Sequence, residues 1–285
     1  MSRELPRTLT SLSHAYQRDL SGIDYEVLVV DNGSREPVSS AAVSAVDTRF
    51  RVHRIDDASP SPAAGCNLGV ELTSGRHVGV ILDGARMVTP GAVSVGIRAL
   101  RTHPRAIVTS LAWHLGDEHQ SVSIRNGYSS LTEDQLLTDI EWPSDGYRLF
   151  ETGALAGANP GGFFGNVTES CFLMLPRNLW TEVGGLDTAF DLAGGGLVNL
   201  DLFSRLISLP DSQLTVLLGE GSFHQVHGGA STKPDTDAAP WHAQYERLRG
   251  HPYTPPEIRP AYFGSLGESA RPWLVGPRTR PQHGQ

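Results

Sequence analysis

Two short apolar runs, each followed by an aspartate, form the clearest pattern along the chain. Residues 25–30 are largely apolar and lead into Asp31, and residues 77–82 form a second run that leads into Asp83. Apolar runs of this length, bounded by turn-forming residues, are typical of strands buried in a parallel sheet. We therefore predict two such strands, with an aspartate at the carboxyl end of each.

The segment between these two strands is predicted to be a helix. Ser61 followed by Pro62 is a good helix start, and Gly75 is a good stop. The order strand, helix, strand predicts parallel strands joined by right-handed crossovers. Further helices are predicted at residues 3–17, 88–103, 131–140 and 240–248, and further strands at residues 106–111 and 166–177.

The polar residues that follow the two strands are candidates for ligand binding. In a sheet flanked by helices, ligands bind beyond the carboxyl ends of the strands. Asp31 and Asn32 follow the first strand, and Asp83 and Arg86 follow the second. The alternative interpretation of Asp31 and Asn32 is a tight turn without a ligand. The second copy of the pattern at Asp83 favours a functional role.

Together these motifs resemble those of family 2 glycosyltransferases, which have an α/β fold of the GT-A type. That fold is a Rossmann-like, mostly parallel sheet flanked by helices. The resemblance extends over roughly residues 3–230. It implies that Asp31 and Asn32 contact the nucleotide, and that Asn67 lies in the segment that leads to the metal-binding acidic motif at Asp83. The motifs that carry it lie at residues 28–34, 67–86, 168–190 and 223–229.

The resemblance implies an enzyme that moves a sugar from a nucleotide-diphosphate donor, linked to UDP, GDP or dTDP, to a hydroxyl of a glycan or glycolipid. It also implies a divalent metal, Mn²⁺ or Mg²⁺. The second carboxylate of the acidic motif is replaced here by Ala85. His227 and His224 are then candidate ligands beside Asp83. Arg86 could offset diphosphate charge directly, although a solvated surface arginine is an equally good interpretation.

The family's catalytic base is also replaced. Asn199 stands where the resemblance implies the aspartate of an acidic pair, and asparagine cannot accept a proton at neutral pH. Asp201, Glu169 and Asp187 are therefore the candidate catalytic residues. Asp201 lies two residues after Asn199, on a nearly opposite helix face, and pairing with Arg205 is an alternative for it.

Three explanations of these replacements stay open. The enzyme could invert the sugar's configuration with another carboxylate as the base. It could instead retain the configuration, with the leaving diphosphate taking the proton. Finally, the chain could be a homologue that binds a nucleotide-sugar or a glycan without catalysis. A nucleotidyltransferase shares the layered sheet, but the sequence shows no glycine-rich activation loop near its N-terminus.

Two further expectations concern the organisation of the chain. The family has a strand before the helix predicted at residues 3–17, and this first strand is missing here. We expect that the true start of the protein lies upstream. A GT-A domain is expected at residues 1–230, with residues 140–165 meeting the acceptor. Residues 231–285 are expected to form a proline-rich C-terminal extension with one helix.

Composition narrows the class of protein. The 285 residues are 39% hydrophobic, which is too apolar for a disordered chain, and the net charge of −8 argues against a general nucleic-acid binder. No apolar stretch approaches the length of about 18 residues that a transmembrane helix needs. Two cysteines predict reduced thiols and a cytoplasmic location. A peripheral membrane contact through Arg271, Arg278 and Arg280 is only weakly indicated.

Overall fold

The computed structural model describes residues 2–227 and 237–275. The α-helices of these residues are α1 (Glu4–Leu12), α2 (Ser40–Val46), α3 (Ala63–Glu71), α4 (Ala92–Leu100), α5 (Gln120–Arg125), α6 (Ser130–Asp139), α7 (Leu149–Thr152), α8 (Arg177–Glu182), α9 (Val198–Ile207) and α10 (Ala239–Arg249). The strands are β1 (Val27–Asn32), β2 (Phe50–Ile55), β3 (His77–Val80), β4 (Arg86–Val88), β5 (Ala106–Leu115), β6 (Gly153–Leu155), β7 (Leu173–Pro176), β8 (Gln213–His224) and β9 (Ala261–Gly264).

The strands form two sheets. β1 and β2 pair in parallel with each other, and the other seven strands form a sheet with the order β3-β7-β5-β8-β4. β6 extends this sheet beside β5, and β9 extends it beside β8. The pairs β5–β8 and β8–β9 are parallel, whereas β3–β7, β5–β7, β4–β8 and β5–β6 are antiparallel. The predicted α/β class is confirmed, with a central sheet of mixed direction.

The core of the domain surrounds β5, every residue of which is buried. Trp113 on this strand stacks on Phe223 and meets Phe150 edge-on. Phe150 belongs to the region predicted to meet the acceptor, and it is completely buried. In the same region the Trp142 indole donates a hydrogen bond to Tyr16, and the Tyr147 hydroxyl donates one to a buried glutamate. These aromatic side chains therefore attach the region to the domain.

Residues 237–275 pack on the same domain. α10 covers the helix predicted at residues 240–248. β9 adds a parallel strand to β8, and the indole of Trp273 donates a hydrogen bond to the carbonyl of Phe150. The last two residues of the predicted motif at 223–229, and Arg278 and Arg280, lie outside the described residues.

Several element boundaries differ from the sequence predictions. The predicted strand at residues 166–177 is limited to β7, because the chain before it bonds to a neighbouring loop through Thr168 N and Ala158 O. α1 ends at Leu12 because Ser13 adopts an extended backbone conformation. α2 and β2 were not predicted. The alternation of Phe50 and Val52 with Arg51 and His53 was the available signal for β2.

Candidate active site

A cavity of about 2210 Å³ runs between β1 and β3 along the whole length of both strands and includes their carboxyl ends. The loop after each strand contributes to its wall, as the two aspartate motifs predicted. The polar side chains on its wall come from at least six separate parts of the chain, which the fold brings together. They include Asp31, Asn32, Asp83, Arg86, His114, His119, Glu169, Asn199, His224 and His227.

Asp83, His224 and His227 form a compact cluster in this cavity. Asp83 Oδ2 lies 2.8 Å from His224 Nε2 and 3.3 Å from His227 Nε2, and the two imidazole nitrogens are 3.1 Å apart. One ligand atom of each residue lies within 4.8 Å of the others. A carboxylate oxygen and two imidazole nitrogens are ligands that divalent first-row metals accept. The donor set therefore fits a divalent cation.

The orientation of His224 is set by Gln120, the first residue of α5. His224 Nδ1 lies 2.7 Å from the side-chain oxygen of Gln120, which can only accept a hydrogen bond. A neutral ring carries one proton: when it lies on Nδ1, toward the Gln120 oxygen, Nε2 is free to bind a metal, and when it lies on Nε2, that nitrogen donates to Asp83. Metal-binding histidines commonly have such an acceptor behind the ligating ring. His224 thus has the position of a metal ligand, with an acceptor behind the ligating ring.

Burial and charge favour the ligand forms of these groups. Burial acts to raise the pKa of Asp83, but hydrogen bonds from His224 and His227 outweigh it and hold the pKa well below its usual range. Burial lowers the pKa of His224, against the opposing effect of Asp83. Burial, with the neighbouring histidines, also holds the pKa of His114 well below normal. The cluster therefore combines an ionised carboxylate with neutral imidazole.

Arg86 lies beside this cluster. It pairs with His224 across β4 and β8, so the two side chains are on the same face of the sheet. Burial acts to lower the pKa of Arg86, but nearby Cys171, Asp83 and Glu169 outweigh it and raise the pKa. Within residues 2–227 and 237–275, the guanidinium has no hydrogen bond or salt bridge to another side chain. A fixed cation thus faces the cavity next to the candidate metal ligands.

Of the three candidate catalytic carboxylates, only Glu169 lines the cavity. Asp201 is buried and accepts hydrogen bonds from Arg205 and Arg249. Asp187 is bound to the same Arg249 at 2.7 Å. The ion pair between Asp201 and Arg205, four residues apart, is the alternative that the sequence offered. The structure therefore places Asp201 and Asp187 in a network that joins α9 to α10.

The residues predicted to contact the nucleotide bind mainly to their own chain. Asp31 accepts hydrogen bonds from the backbone of Ser34 and Val38 and from Arg54. Burial acts to raise its pKa, but these bonds lower the pKa to about 2. Asn32 donates to the carbonyl of Ser59. Both residues line the cavity and fix the shape of its wall.

Asn67 lies away from this cavity. Its side chain donates to the carbonyl of Leu186 and accepts from the amide of the same residue. These two bonds attach α3 to the glycine pair before Asp187. Asn199, in the place of the family's base, donates to the carbonyl of Ser170 and so attaches α9 to the segment that carries Glu169.

Gln120, His114 and His119 were not predicted as site residues. His114 lies on β5, whereas His119 and Gln120 lie at the start of α5, in a region whose sequence has weak periodicity. The rings of His114 and His119 are 4.4 Å apart, and His114 is 5.7 Å from His224. The only signal was the clustering of histidines at 114 and 119 in the sequence, which did not specify a partner.

Comparison with known proteins identifies the protein family. A family model described as glycosyl transferase family 2 matches residues 2–155. The chain belongs to glycosyl transferase family 2. This membership, with a central sheet flanked by helices, confirms the GT-A fold predicted from the sequence. Enzymes of this fold commonly use a divalent metal, and the Asp83–His224–His227 cluster is the candidate set of ligands.

Solved structures give a distant likeness. The crystal structure of S. aureus TarS matches with a TM-score of 0.47 and 13% identity, over 79% of this chain and 33% of that chain. A structure of S. aureus TarS 1–349 in complex with UDP matches with the same TM-score and identity, over 80% of this chain and 55% of that chain. The match thus covers about a third of the length of the first TarS chain and about half of the length of the second. No curated protein matches it.

The helices in the described part of the chain are too short or too polar to cross a membrane. The cytoplasmic location and the peripheral membrane contact stay predictions. The two cysteines, Cys66 and Cys171, are both free.

Proposed function

We propose that this family 2 protein is a metal-dependent hexosyltransferase. It takes the sugar from a nucleotide-diphosphate donor and transfers it to a hydroxyl of a glycan or glycolipid. The observation that carries the proposal is the convergence of one carboxylate oxygen and two imidazole nitrogens within 4.8 Å, at the carboxyl end of β3. Ligands of α/β proteins bind at this edge of the sheet.

In this proposal His224 replaces the carboxylate that is absent at Ala85. The backbone amide of Ala85 donates to Asp83 Oδ1, which directs Oδ2 toward both histidines. A divalent cation held here, Mn²⁺ or Mg²⁺, supplies positive charge that stabilises the leaving diphosphate. Nitrogen ligands suit Mn²⁺ better than Mg²⁺, which prefers oxygen. We therefore propose Mn²⁺ as the better activator.

Arg86 contributes a second positive charge. Its guanidinium carries several donors in a planar group, which matches the oxygens of a diphosphate. Because Arg86 and His224 share one face of the sheet, the cation and the metal ligands can contact the same diphosphate. Arg86 is thus proposed to bind the donor and to stabilise the charge that develops as the glycosidic bond breaks.

Glu169 is the proposed base of an inverting reaction. It lies in the same cavity as Asp83 and Arg86, and asparagine at 199 cannot take a proton. Glu169 would accept the proton of the acceptor hydroxyl as the oxygen attacks the sugar. In a retaining reaction an oxygen of the leaving diphosphate takes this proton, and Glu169 has no such role. Asp31 and Asn32 are proposed to position the loop that lies beside the donor nucleotide, through their hydrogen bonds to its backbone.

A second candidate function is binding without turnover. The observations that favour it are Ala85 and Asn199, which stand where the family has a metal ligand and a base. Such a protein would bind a nucleotide-sugar or a glycan in the same cavity. It would still need the Asp83 cluster for the diphosphate, so binding alone does not distinguish the two functions.

The experiment that separates them is an assay of nucleoside diphosphate release. The full chain is incubated with hexose donors linked to UDP, GDP and dTDP, with Mn²⁺ and a mixture of glycan and glycolipid acceptors. Release from one donor, abolished by a chelator and by Asp83→Asn, supports the transferase. Donor binding without release from any donor or acceptor contradicts it and supports the second function. His251→Ala, at an exposed histidine outside the cavity, is the matched control.

A further inference from the structure

Gln225 and Val226 join the two candidate metal ligands His224 and His227. β8 ends at His224, and the amide of Gln225 donates to the carbonyl of Ala85, 2.8 Å away. Val226 lies one residue further along, beyond the strand, and it is buried. The N–H and C=O groups of a buried residue need hydrogen-bond partners. The partners of Val226 therefore decide where the chain, and with it His227, is held.

Those partners are Arg3, just before α1, and Glu133 on α6. Oε2 of Glu133 accepts a hydrogen bond from the amide of Val226 at 2.7 Å, and Arg3 donates to the carbonyl of Val226 at 3.1 Å. Arg3 also donates to Oε1 of Glu133 at 2.7 Å. Hydrogen bonds to charged groups are shorter and stronger than those between neutral groups. The Arg3–Glu133 pair thus holds both polar backbone groups of Val226.

The position of Glu133 is itself restrained by several contacts. Its side chain is completely buried, whereas that of Arg3 is 25% exposed. The hydroxyl of Tyr128 adds a further donor to the carboxylate at 3.4 Å. A buried carboxylate that lost its cation would destabilise the fold strongly, so the ion pair with Arg3 is a firm restraint. Glu133 is therefore a fixed point to which the backbone of Val226 is bound.

α1 also holds the loop that carries the third candidate ligand. Thr8 donates to the carbonyl of Gly84, the residue after Asp83, at 2.8 Å. The side chain of Gln225 donates to the carbonyl of Glu4 at 3.1 Å. Both ligand-bearing segments therefore bind to one helix, which contributes no residue to the candidate metal cluster.

We propose that Arg3 and Glu133 are positioning residues for the metal site. By holding both polar groups of Val226, they keep Nε2 of His227 within reach of the other two ligands, 3.3 Å from the aspartate oxygen and 3.1 Å from the other imidazole nitrogen. Metal sites require their ligands to be held within about 0.5 Å of the productive geometry. This inference rests on the metal-dependent function proposed above, and it extends the site to α1 and α6.

The first test changes Glu133 and its neighbour. Glu133→Ala leaves the amide of Val226 without its acceptor, so we expect Mn²⁺ to bind about tenfold more weakly in a calorimetric titration. Glu133→Gln keeps a side-chain oxygen for this amide and should restore most of the affinity. Asp134→Asn is the matched control, because Asp134 binds Arg3 and Arg7 instead of the Val226 backbone. Asp134 is 41% exposed, and its variant should bind Mn²⁺ within about twofold of the wild-type protein.

The second test changes the two arginines. Arg3→Met removes the donor to the carbonyl of Val226, so we expect Mn²⁺ to bind at least about threefold more weakly. Arg7→Met is its matched control, because Arg7 donates to Asp134. It should bind Mn²⁺ within about twofold of the wild-type protein. If Glu133→Ala does not fold, this pair of arginine variants tests the proposal by itself.

A third measurement needs no metal. Hydrogen exchange at the amide of Val226 is expected to be at least about tenfold faster in Glu133→Ala than in the wild-type protein, and unchanged in Asp134→Asn. Amides of β5, in the core, serve as the reference. A general loss of structure would speed exchange at β5 and at Val226 alike, whereas loss of a positioning contact affects Val226 alone.

Several results would overturn the positioning role. They are equal Mn²⁺ affinity in Glu133→Ala and Asp134→Asn, equal weakening in Glu133→Ala and Glu133→Gln, and equal acceleration of exchange at Val226 and β5. Wild-type binding of Mn²⁺ that depends on Asp83, with unchanged affinity in Glu133→Ala, overturns this role only. A wild-type protein that binds no Mn²⁺, or an Asp83→Asn variant that binds it equally well, overturns the proposed metal site and the positioning role together.

Discussion

His224 Nε2 lies 2.8 Å from Asp83 Oδ2, although 141 residues separate the two in sequence. The contact joins the end of β8 to the loop after β3. It gives the chain a site with one carboxylate and two imidazoles, where the family resemblance implied a second carboxylate. His224 is buried, its Nδ1 lies on Gln120, and its Nε2 lies between Asp83 and His227.

The first prediction concerns the metal ligands. His224→Ala removes one of three ligands, so we expect the affinity for Mn²⁺ to fall at least about 100-fold, with loss of metal-stimulated transfer. Calorimetric titration with Mn²⁺ measures the affinity. His251→Ala should bind like the wild-type protein. A His224→Ala variant that binds Mn²⁺ with unchanged affinity contradicts the assignment of the site.

The second prediction concerns Gln120, which accepts a hydrogen bond from His224 Nδ1. Gln120→Leu removes this acceptor and allows the ring to change tautomer, so we expect Mn²⁺ to bind about 10–100-fold more weakly. Gln120→Glu keeps an acceptor at the same place and should restore most of the affinity. Titration of both variants distinguishes a positioning role from general loss of structure. Equal weakening in the two variants would argue against the positioning role.

The third prediction concerns Glu169. If it is the base, Glu169→Gln should reduce kcat by about 10²–10⁴-fold while the Kd for the nucleotide changes little. Asp187→Asn is the comparison, because Asp187 lies outside the cavity. Unchanged kcat in Glu169→Gln would favour the retaining reaction, in which the leaving diphosphate takes the proton.

The fourth prediction separates stability from catalysis at Asp201. This buried carboxylate binds Arg205 and Arg249, so Asp201→Asn leaves their donors incompletely paired. We expect the free energy of unfolding to fall by about 1–3 kcal/mol, with little change in kcat per folded molecule. Urea denaturation measures the free energy of unfolding, and the transfer assay measures kcat. A large loss of kcat at unchanged stability would instead assign Asp201 to the reaction.

The fifth prediction concerns pH and stability. Burial raises the pKa of Glu220 to about 7, against hydrogen bonds from Thr89 and Tyr147 and the charge of Arg98. The folded protein then binds the proton more tightly than the unfolded chain, whose glutamate has a pKa near 4.5. Stability from this group is present below pH 4.5 and is lost as pH rises toward 7, by up to roughly 3 kcal/mol.

The Glu220→Gln variant tests this prediction. Its side chain stays neutral, so the difference in unfolding free energy between the variant and the wild-type protein should change across pH 4.5–7 and level off outside that range. Urea denaturation at several pH values measures this difference. A difference that is constant with pH would contradict the raised pKa of Glu220.

The parts of the fold with strong local patterns could be predicted from the sequence. The apolar runs before Asp31 and Asp83 contain most of β1 and all of β3, and α3 lies between the predicted start at Pro62 and the predicted stop at Gly75. Strand pairing could not be predicted, because the partners of β5 and β8 lie far away in sequence. The mixed direction of the main sheet follows from these distant pairings.

The candidate site shows the same division. Asp83, His224 and His227 were predicted from motifs and lie together in the structure. The contact between His224 Nδ1 and Gln120 joins residues that are 104 apart in sequence, and no local pattern marks it. Asp31 and Asn67 could be identified from motifs in the sequence. Their hydrogen bonds to the backbone of Val38 and Leu186 could not be predicted, because these bonds depend on tertiary packing.

The most direct measurement is calorimetric titration of the chain with UDP, GDP and dTDP, first with Mn²⁺ and then with a chelator. The account predicts that one nucleotide binds tightly with Mn²⁺, and that the chelator or Asp83→Asn weakens this binding at least about 100-fold. His251→Ala should keep the wild-type affinity. Binding of that nucleotide with the same affinity in the presence of the chelator, or in Asp83→Asn, would contradict the proposed site.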